Sequence, residues 1–178
     1  NKAVPDWSLN EIGNRRVRQL ADSNALNGIT VVISSAEVKA LETAQPLADA
    51  LGCPFEVQEA MHENDRSATG FLPPDEFEAV ADQFFAQPTK SVRGWETAAS
   101  AQARIVAEVE GCLNSHSDDG ILFVGHGGVG TLLFCHLAGV PINRKYDQGS
   151  GGGGCFFEFT DLGGKPTSSW QPMEKLSS

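Results

Sequence analysis

The sequence lacks any apolar run close to the about 18 to 20 residues that a membrane-spanning helix requires. Basic residues are also scarce, with 13 Lys and Arg against 23 Asp and Glu and a formal net charge of -10. Because this overall charge repels polyphosphate chains, we expect neither nucleic acid nor a membrane as a partner. A small anionic substrate would need a local positive pocket that acts against the overall charge.

Cysteine is infrequent, and no C-x-x-C pair is present. The four cysteines lie far apart in the chain, at Cys53, Cys112, Cys135 and Cys155. This pattern predicts reduced and mostly buried thiols in a cytoplasmic protein. The chain as given starts at Asn1. Its first residues do not show the basic start and following apolar run that are typical of a secretory signal peptide.

Strands alternate with helices along the chain. Short apolar runs, partly β-branched, predict strands at 29–33, 55–57 and 121–124. Amphipathic spacing predicts helices that begin near Ser8 and that span 36–51, 75–86, 96–114 and 129–137. The start near Ser8 is predicted from a capping box with Glu11, and Pro46 is predicted to kink or divide its helix.

This alternation predicts one α/β domain over residues 1–178. We expect a three-layer α/β/α sandwich whose mixed sheet is mostly parallel, with a late antiparallel strand after the glycine-rich run 149–154. The segment 61–95 is expected to form a cap or lid. Ligands of such sheets bind beyond the carboxyl ends of the strands.

Polar residues follow each of the three predicted strands. Ser34 and Ser35 follow the first, His62 and Glu63 the second, and His126 the third. If the strands are parallel, these segments meet at one edge of the sheet. His126 is the sharpest candidate, because its flanking glycines let backbone amides approach an anion while the imidazole faces the crevice.

Two other interpretations of the region around His126 carry less weight. Residues 125–130 match G-x-G-x-x-G, with Asp147 downstream, as in a dinucleotide-binding oxidoreductase. That fingerprint belongs to an early βα unit, whereas fewer than fifty residues follow here. The histidines lack metal-ligand spacing, so we expect no metal.

Four segments together resemble the histidine phosphatase superfamily, the phosphoglycerate-mutase-like enzymes. Residues 7–13 are similar to the opening of the family's first helix, and 34–44 to its S-S-x-x-x-R-A-x-x-T-A motif. Glu63 is similar to the acid after the family's next strand, and 125–128 to the segment of its second catalytic histidine. The resemblance extends over nearly the whole chain.

The resemblance implies catalysis through a phosphohistidine, without metal or cofactor. A histidine attacks phosphorus, a carboxylic acid protonates the leaving oxygen, and water then hydrolyses the phosphoenzyme. His126 would stabilise the transferring phosphoryl group, with the Gly127 amide beside it. Glu63 is the candidate acid, and Asp65 is its rival.

The other site residues implied by the resemblance bind the phosphate or the rest of the substrate. Ser35 and Lys39 are expected at the phosphate, although Lys39 stands where the family usually has arginine. Lysine keeps the charge but loses the bidentate fork, so we expect a weaker or differently shaped phosphate clamp. Arg66 is a candidate substrate contact.

One family element is absent from this sequence. Family members begin with a central strand that ends in Arg-His-Gly, whose histidine is the nucleophile. Without that strand, interior backbone groups would lack partners, at about 1 to 3 kcal/mol each. We therefore expect a short upstream segment that supplies the nucleophile.

The predicted function is a phosphomonoesterase acting on a small phosphorylated metabolite, and a phosphomutase is the less favoured variant. A noncatalytic phospho-ligand-binding or regulatory domain is the alternative if the nucleophile is truly absent. The sequence does not indicate which phosphate ester is the substrate or which oligomeric state the protein adopts.

Overall fold

The computed structural model describes residues 3–149 and 152–177. Its α-helices are α1 (Glu11–Asp22), α2 (Val38–Leu51), α3 (Pro74–Ala86), α4 (Ala98–Ser115) and α5 (Gly127–Ala138). Its strands are β1 (Val31–Ser35), β2 (Phe55–Gln58), β3 (Ile121–Val124), β4 (Cys155–Phe156) and β5 (Gln171–Pro172). Short 3-10 helices span Val4–Asp6, Glu59–Met61, Arg144–Tyr146 and Met173–Ser177.

The first three strands form a parallel sheet in the order β2-β1-β3. All five residues of the central strand β1 are buried, as a parallel strand covered on both faces requires. Val32 packs with α2 residues on one face, whereas Val31 and Ile33 join the core that includes α3, α4 and α5 on the other. These layers confirm the predicted α/β class and the parallel strands.

The predicted start of the first helix is wrong. Asn10, not Ser8, is the N-cap of α1, because its side-chain oxygen accepts a 2.8 Å hydrogen bond from the Gly13 amide. The Leu9 amide is bonded to the Glu42 carboxylate of α2, which holds this part of the chain outside the helix. Two capping residues lie close together here, and tertiary contacts select the second.

The second helix confirms one predicted signal and excludes one of the two effects predicted for Pro46. It ends at Leu51 with Gly52 in the left-handed conformation (φ 62°), as the sequence predicts. Pro46 does not divide it, since α2 continues through that residue.

The late antiparallel strand is present as β4, which pairs with β5 in a separate two-stranded sheet. This separation leaves β3 at one edge of the parallel sheet within the described residues. Ile121, Leu122 and Phe123 of β3 are only partly buried, unlike the residues of β1.

The segment 61–95, predicted to be a cap or lid, contains α3 and two irregular stretches. Its Met61, Phe84 and Trp95 belong to the largest hydrophobic cluster. A lid function for this segment stays a prediction. No helix in the described ranges combines the length and the hydropathy needed to cross a bilayer.

Candidate active site

The carboxyl ends of β1 and β3 bring Ser35 and His126 together. Ser35 is the last residue of β1 and is fully buried, and His126 is the N-cap of α5 directly after β3 and Gly125. The His126 Nε2 atom lies 2.9 Å from Ser35 Oγ, within hydrogen-bond distance. The imidazole is 11% exposed, so neighbouring residues cover most of it. The predicted meeting of these two residues at one sheet edge is thus what the structure shows.

Glu63 also reaches this edge, where its carboxylate binds the N-terminus of α5. Its Oε2 accepts a 2.9 Å hydrogen bond from the Gly128 amide, and its Oε1 accepts one of 2.9 Å from the Val129 amide. The backbone amide of Asn64 is the third donor to this carboxylate, and it bonds to Oε1 at 3.0 Å. A carboxylate at this position accepts hydrogen bonds from first-turn amides that have no partner within the helix. Its negative charge also interacts favourably with the positive N-terminal end of the helix dipole.

The Gly127 amide differs from the three amides that follow it in α5. The Gly130 amide bonds to the His126 carbonyl, and those of Gly128 and Val129 bond to Glu63. The Gly127 amide has no hydrogen bond within residues 3–149 and 152–177. It stands next to His126, as the resemblance implies for a phosphate-binding amide.

The two cationic side chains predicted at the site make contacts with aromatic rings. The Lys39 ammonium lies 5.1 Å from the centroid of the Trp7 ring, and the Arg66 guanidinium carbon lies 4.8 Å from that of Phe77. Within the described residues, no hydrogen bond or ion pair joins Lys39 or Arg66 to His126. Their roles in phosphate and substrate binding therefore stay predictions.

Asp65, the rival candidate for the acid, also has its carboxylate bound by a backbone amide, and the choice between it and Glu63 stays a prediction. It is exposed, and its Oδ1 accepts a 2.8 Å hydrogen bond from the Ser67 amide. Hydrogen bonds from Ser67 lower the pKa of Asp65, which favours the carboxylate over the proton-donating acid.

Sequence reasoning missed Glu37, an acid within the site. Its Oε1 lies 3.8 Å from His126 Nε2 and accepts a 2.9 Å hydrogen bond from the Glu63 amide. Its position two residues after Ser35 was the available signal, because residues just past a strand end face the crevice.

Sequence reasoning also missed Arg104 of α4, which fixes the backbone that carries Glu63. Its guanidinium donates to the carbonyls of Ala60 and His62 at 2.7 and 2.9 Å. The same group pairs with the Glu96 carboxylate at 2.7 Å. Arg104 lies in an ordinary amphipathic helix, so no local pattern distinguishes it from a solvated arginine.

The glycine at position 128 keeps space for the Glu63 carboxylate. A Cβ at this position would lie 2.6 Å from Glu63 Oε1, closer than real Cβ atoms approach other heavy atoms. We therefore expect Gly128→Ala to displace Glu63 from the α5 amides and, through the misplaced site residues, to lower kcat/KM about tenfold or more. Steady-state kinetics of the purified variant would measure this loss.

Gly111→Ala is the matched control for Gly128→Ala. Gly111 lies in an exposed helix interior, and a Cβ there would meet nothing within 4 Å. The variant should keep full activity and gain up to about 1 kcal/mol of stability. Equal activity of both variants would contradict the role given to Gly128.

The described residues contain no group of three or more His, Cys, Asp or Glu side chains that could hold a metal ion. Asp147, the acid considered for a dinucleotide site, accepts hydrogen bonds from Thr131 Oγ1 and the Gln148 amide. Its carboxylate therefore connects α5 with the loop that follows this helix.

A comparison with known protein families gives one match that spans most of the chain. The family model of the histidine phosphatase superfamily (branch 1) matches residues 2–154. The chain belongs to this superfamily. The match includes Ser35, Glu63 and His126, and also Glu37 and Arg104. A search of curated proteins gives no match.

Several solved structures share this fold. The native mycobacterial glucosyl-3-phosphoglycerate phosphatase aligns with a TM-score of 0.75 and 18% identity, over 96% of this chain and 91% of that chain. A phosphoserine phosphatase variant from Entamoeba histolytica, in complex with phosphoserine, gives 0.76 and 18%, over 97% and 88%. YhfR of Bacillus stearothermophilus gives 0.72 and 18%, over 96% and 87%.

Proposed function

We propose that this histidine phosphatase superfamily member is a metal-independent phosphomonoesterase that acts through a phosphohistidine. The observation that carries the proposal is the 2.9 Å contact between His126 Nε2 and Ser35 Oγ, with the Gly127 amide beside it. An imidazole, a hydroxyl and a backbone amide can together hold the oxygens of a transferring phosphoryl group. In this proposal Lys39 adds positive charge on substrate binding.

The nucleophile in this proposal is a histidine imidazole, as the family resemblance implies. The imidazole would attack phosphorus, a carboxylic acid at the site would protonate the leaving alcohol, and water would then release phosphate. Glu63 is the acid that the family resemblance favours.

A small phosphorylated metabolite is the proposed substrate class. Two structural neighbours are called phosphatases of glucosyl-3-phosphoglycerate and phosphoserine, both of which are small phosphate monoesters. Arg66, above Phe77, is the proposed contact for the non-phosphate part. The four cysteines are free thiols, which suits a reducing compartment, and we propose the cytoplasm.

The test is hydrolysis of 4-nitrophenyl phosphate by the full-length protein in the presence of EDTA. We expect turnover that vanadate inhibits, and acid-labile phosphate on a histidine when the reaction is quenched. Turnover that EDTA abolishes would contradict the metal-independent mechanism. Vanadate binding without any turnover would favour the noncatalytic phospho-ligand-binding alternative.

A further inference from the structure

We propose that Gln148 binds the substrate by donating a hydrogen bond from Nε2 to a nonbridging oxygen of the phosphoryl group. This inference rests on the proposed phosphomonoesterase function and deepens it, because it adds a binding residue to the site of His126 and Gly127. Gln148 lies outside the four segments that resemble the superfamily. Its side chain reaches the site from the loop that follows α5.

The carboxamide of Gln148 lies directly over the first residue of α5. A Cβ added to Gly127 would lie 2.2 Å from Gln148 Nε2 and 3.1 Å from Gln148 Cδ. The oxygen Oε1 is not among the three atoms nearest to that point, so the nitrogen end of the carboxamide faces the helix. Since Gly127 directly follows His126, Gln148 places a side-chain donor near the imidazole that contacts Ser35.

Two hydrogen-bond donors at this end of α5 have no acceptor. The Gly127 amide makes no hydrogen bond within the described residues, and the Gln148 carboxamide makes none there either. A carboxamide that only capped the helix would turn its oxygen toward the Gly127 amide, because that amide needs an acceptor. An anion bound here would accept from both groups and would also interact favourably with the helix dipole.

Asp147 holds the backbone of Gln148 against α5. Its Oδ1 accepts a 3.0 Å hydrogen bond from Thr131 Oγ1 and one of 2.7 Å from the Gln148 amide. Thr131 is fully buried in α5, so this anchor lies in the interior of the fold. The backbone of Gln148 is therefore fixed before substrate arrives, which lowers the entropy cost of placing its side chain on the phosphate.

A donor beside His126 and Gly127 fits the charge distribution of the reacting group. In phosphoryl transfer the negative charge is spread over three nonbridging oxygens. The carboxamide of Gln148 does not titrate, so its hydrogen bond does not depend on a protonation state. Because the product phosphate carries the same oxygens, the contact can be measured in phosphate binding without turnover.

Calorimetric titration of the full-length protein with inorganic phosphate tests this contact. In Gln148→Ala the Kd for phosphate should rise about tenfold or more, because hydrogen bonds to charged groups are among the stronger ones. Gln148→Glu should raise the Kd further, since its carboxylate repels the anion. Gln19→Glu is the matched control, with the same change of charge at an exposed position of α1, and its Kd should be unchanged.

Gly127→Ala is a second test that leaves every polar group of the site in place. The three atoms nearest to the added Cβ all belong to the Gln148 side chain, which is flexible enough to move aside without unfolding the chain. Gly127→Ala should therefore displace the carboxamide and raise the phosphate Kd about as much as Gln148→Ala. The double variant should bind phosphate no more weakly than either single variant, because both changes remove the same contact.

The two measurements separate this inference from the proposed function. An unchanged phosphate Kd in Gln148→Ala, or effects that multiply in the double variant, would overturn the role given to Gln148. Turnover of 4-nitrophenyl phosphate by the unmodified protein tests the phosphatase proposal. If that protein bound phosphate through Gln148 but showed no turnover, the phosphatase proposal would fail and the contact would stand.

Discussion

Replacement of His126 by alanine is expected to lower kcat for a phosphate ester by about 10²- to 10³-fold, the usual cost of removing one preorganised group that stabilises transition-state charge. The imidazole is 11% exposed and contacts Ser35 Oγ at 2.9 Å, so it is fixed before substrate arrives. Single-turnover kinetics should show the loss in phosphoryl transfer, with a smaller change in substrate affinity.

The fold should survive this substitution. Ser35 keeps its hydrogen bond from the Glu37 amide, and the removed contact is worth about 1 kcal/mol. His136→Ala is the matched control, because His136 is exposed in the last turn of the same helix. His136→Ala should retain full activity. Unchanged turnover in His126→Ala would remove His126 from the mechanism.

The contact between Ser35 and His126 could be predicted because it depends on topology. Parallel strands end at the same edge of a sheet, and the apolar runs that precede both residues identify the strands. The start of α1 could not be predicted in the same way, since Ser8 and Asn10 are both good capping residues. The Leu9–Glu42 contact, 33 residues apart in sequence, accompanies the choice of Asn10.

Glu37 and Arg104 both make long-range contacts, and only Glu37 has a local sequence signal, its position just after β1. Glu37 and His126 lie after the neighbouring strands β1 and β3, 3.8 Å apart between Oε1 and Nε2. From sequence alone, a glutamate at a helix start is ordinarily explained by capping and the helix dipole. Arg104 contacts carbonyls 42 and 44 residues away in sequence. Backbone carbonyls carry no sequence signal, so such a partner is seen only in three dimensions.

Arg104 supports the second prediction with a large effect. Arg104 and Glu96 are only 18% and 15% exposed, so Arg104→Ala would leave a mostly buried carboxylate without its partner. It would also leave the Ala60 and His62 carbonyls without their donor. We expect a loss of about 3 to 5 kcal/mol in the free energy of unfolding, measured by urea denaturation.

Two variants separate the causes of that loss. Glu76→Ala breaks the ion pair with Arg93, whose side chains are 45% and 46% exposed, and should cost about 1 kcal/mol or less. Arg104→Lys keeps the charge, but one ammonium nitrogen cannot occupy the separate positions from which three guanidinium nitrogens contact Glu96 and the two carbonyls, so its stability should be intermediate. Equal stability of Arg104→Ala and Glu76→Ala would contradict the role given to Arg104.

The loss should also depend on pH. Burial opposes ionisation of Glu96, but the hydrogen bonds from Arg104 and the Asp65 amide outweigh it and lower the pKa of Glu96. A carboxyl group with a lowered pKa in the folded state adds stability above its unfolded pKa, about 4.3 for glutamate, and loses it as the pH falls through the folded pKa. The stability difference between the unmodified protein and Arg104→Ala should therefore be full at pH 7 and shrink below about pH 4.

Arg104→Ala should also lower activity under conditions in which the variant remains folded. The Arg104 guanidinium holds the Ala60 and His62 carbonyls, just before Glu63 in the chain. Its loss should displace Glu63 and weaken the contacts of Glu63 with α5.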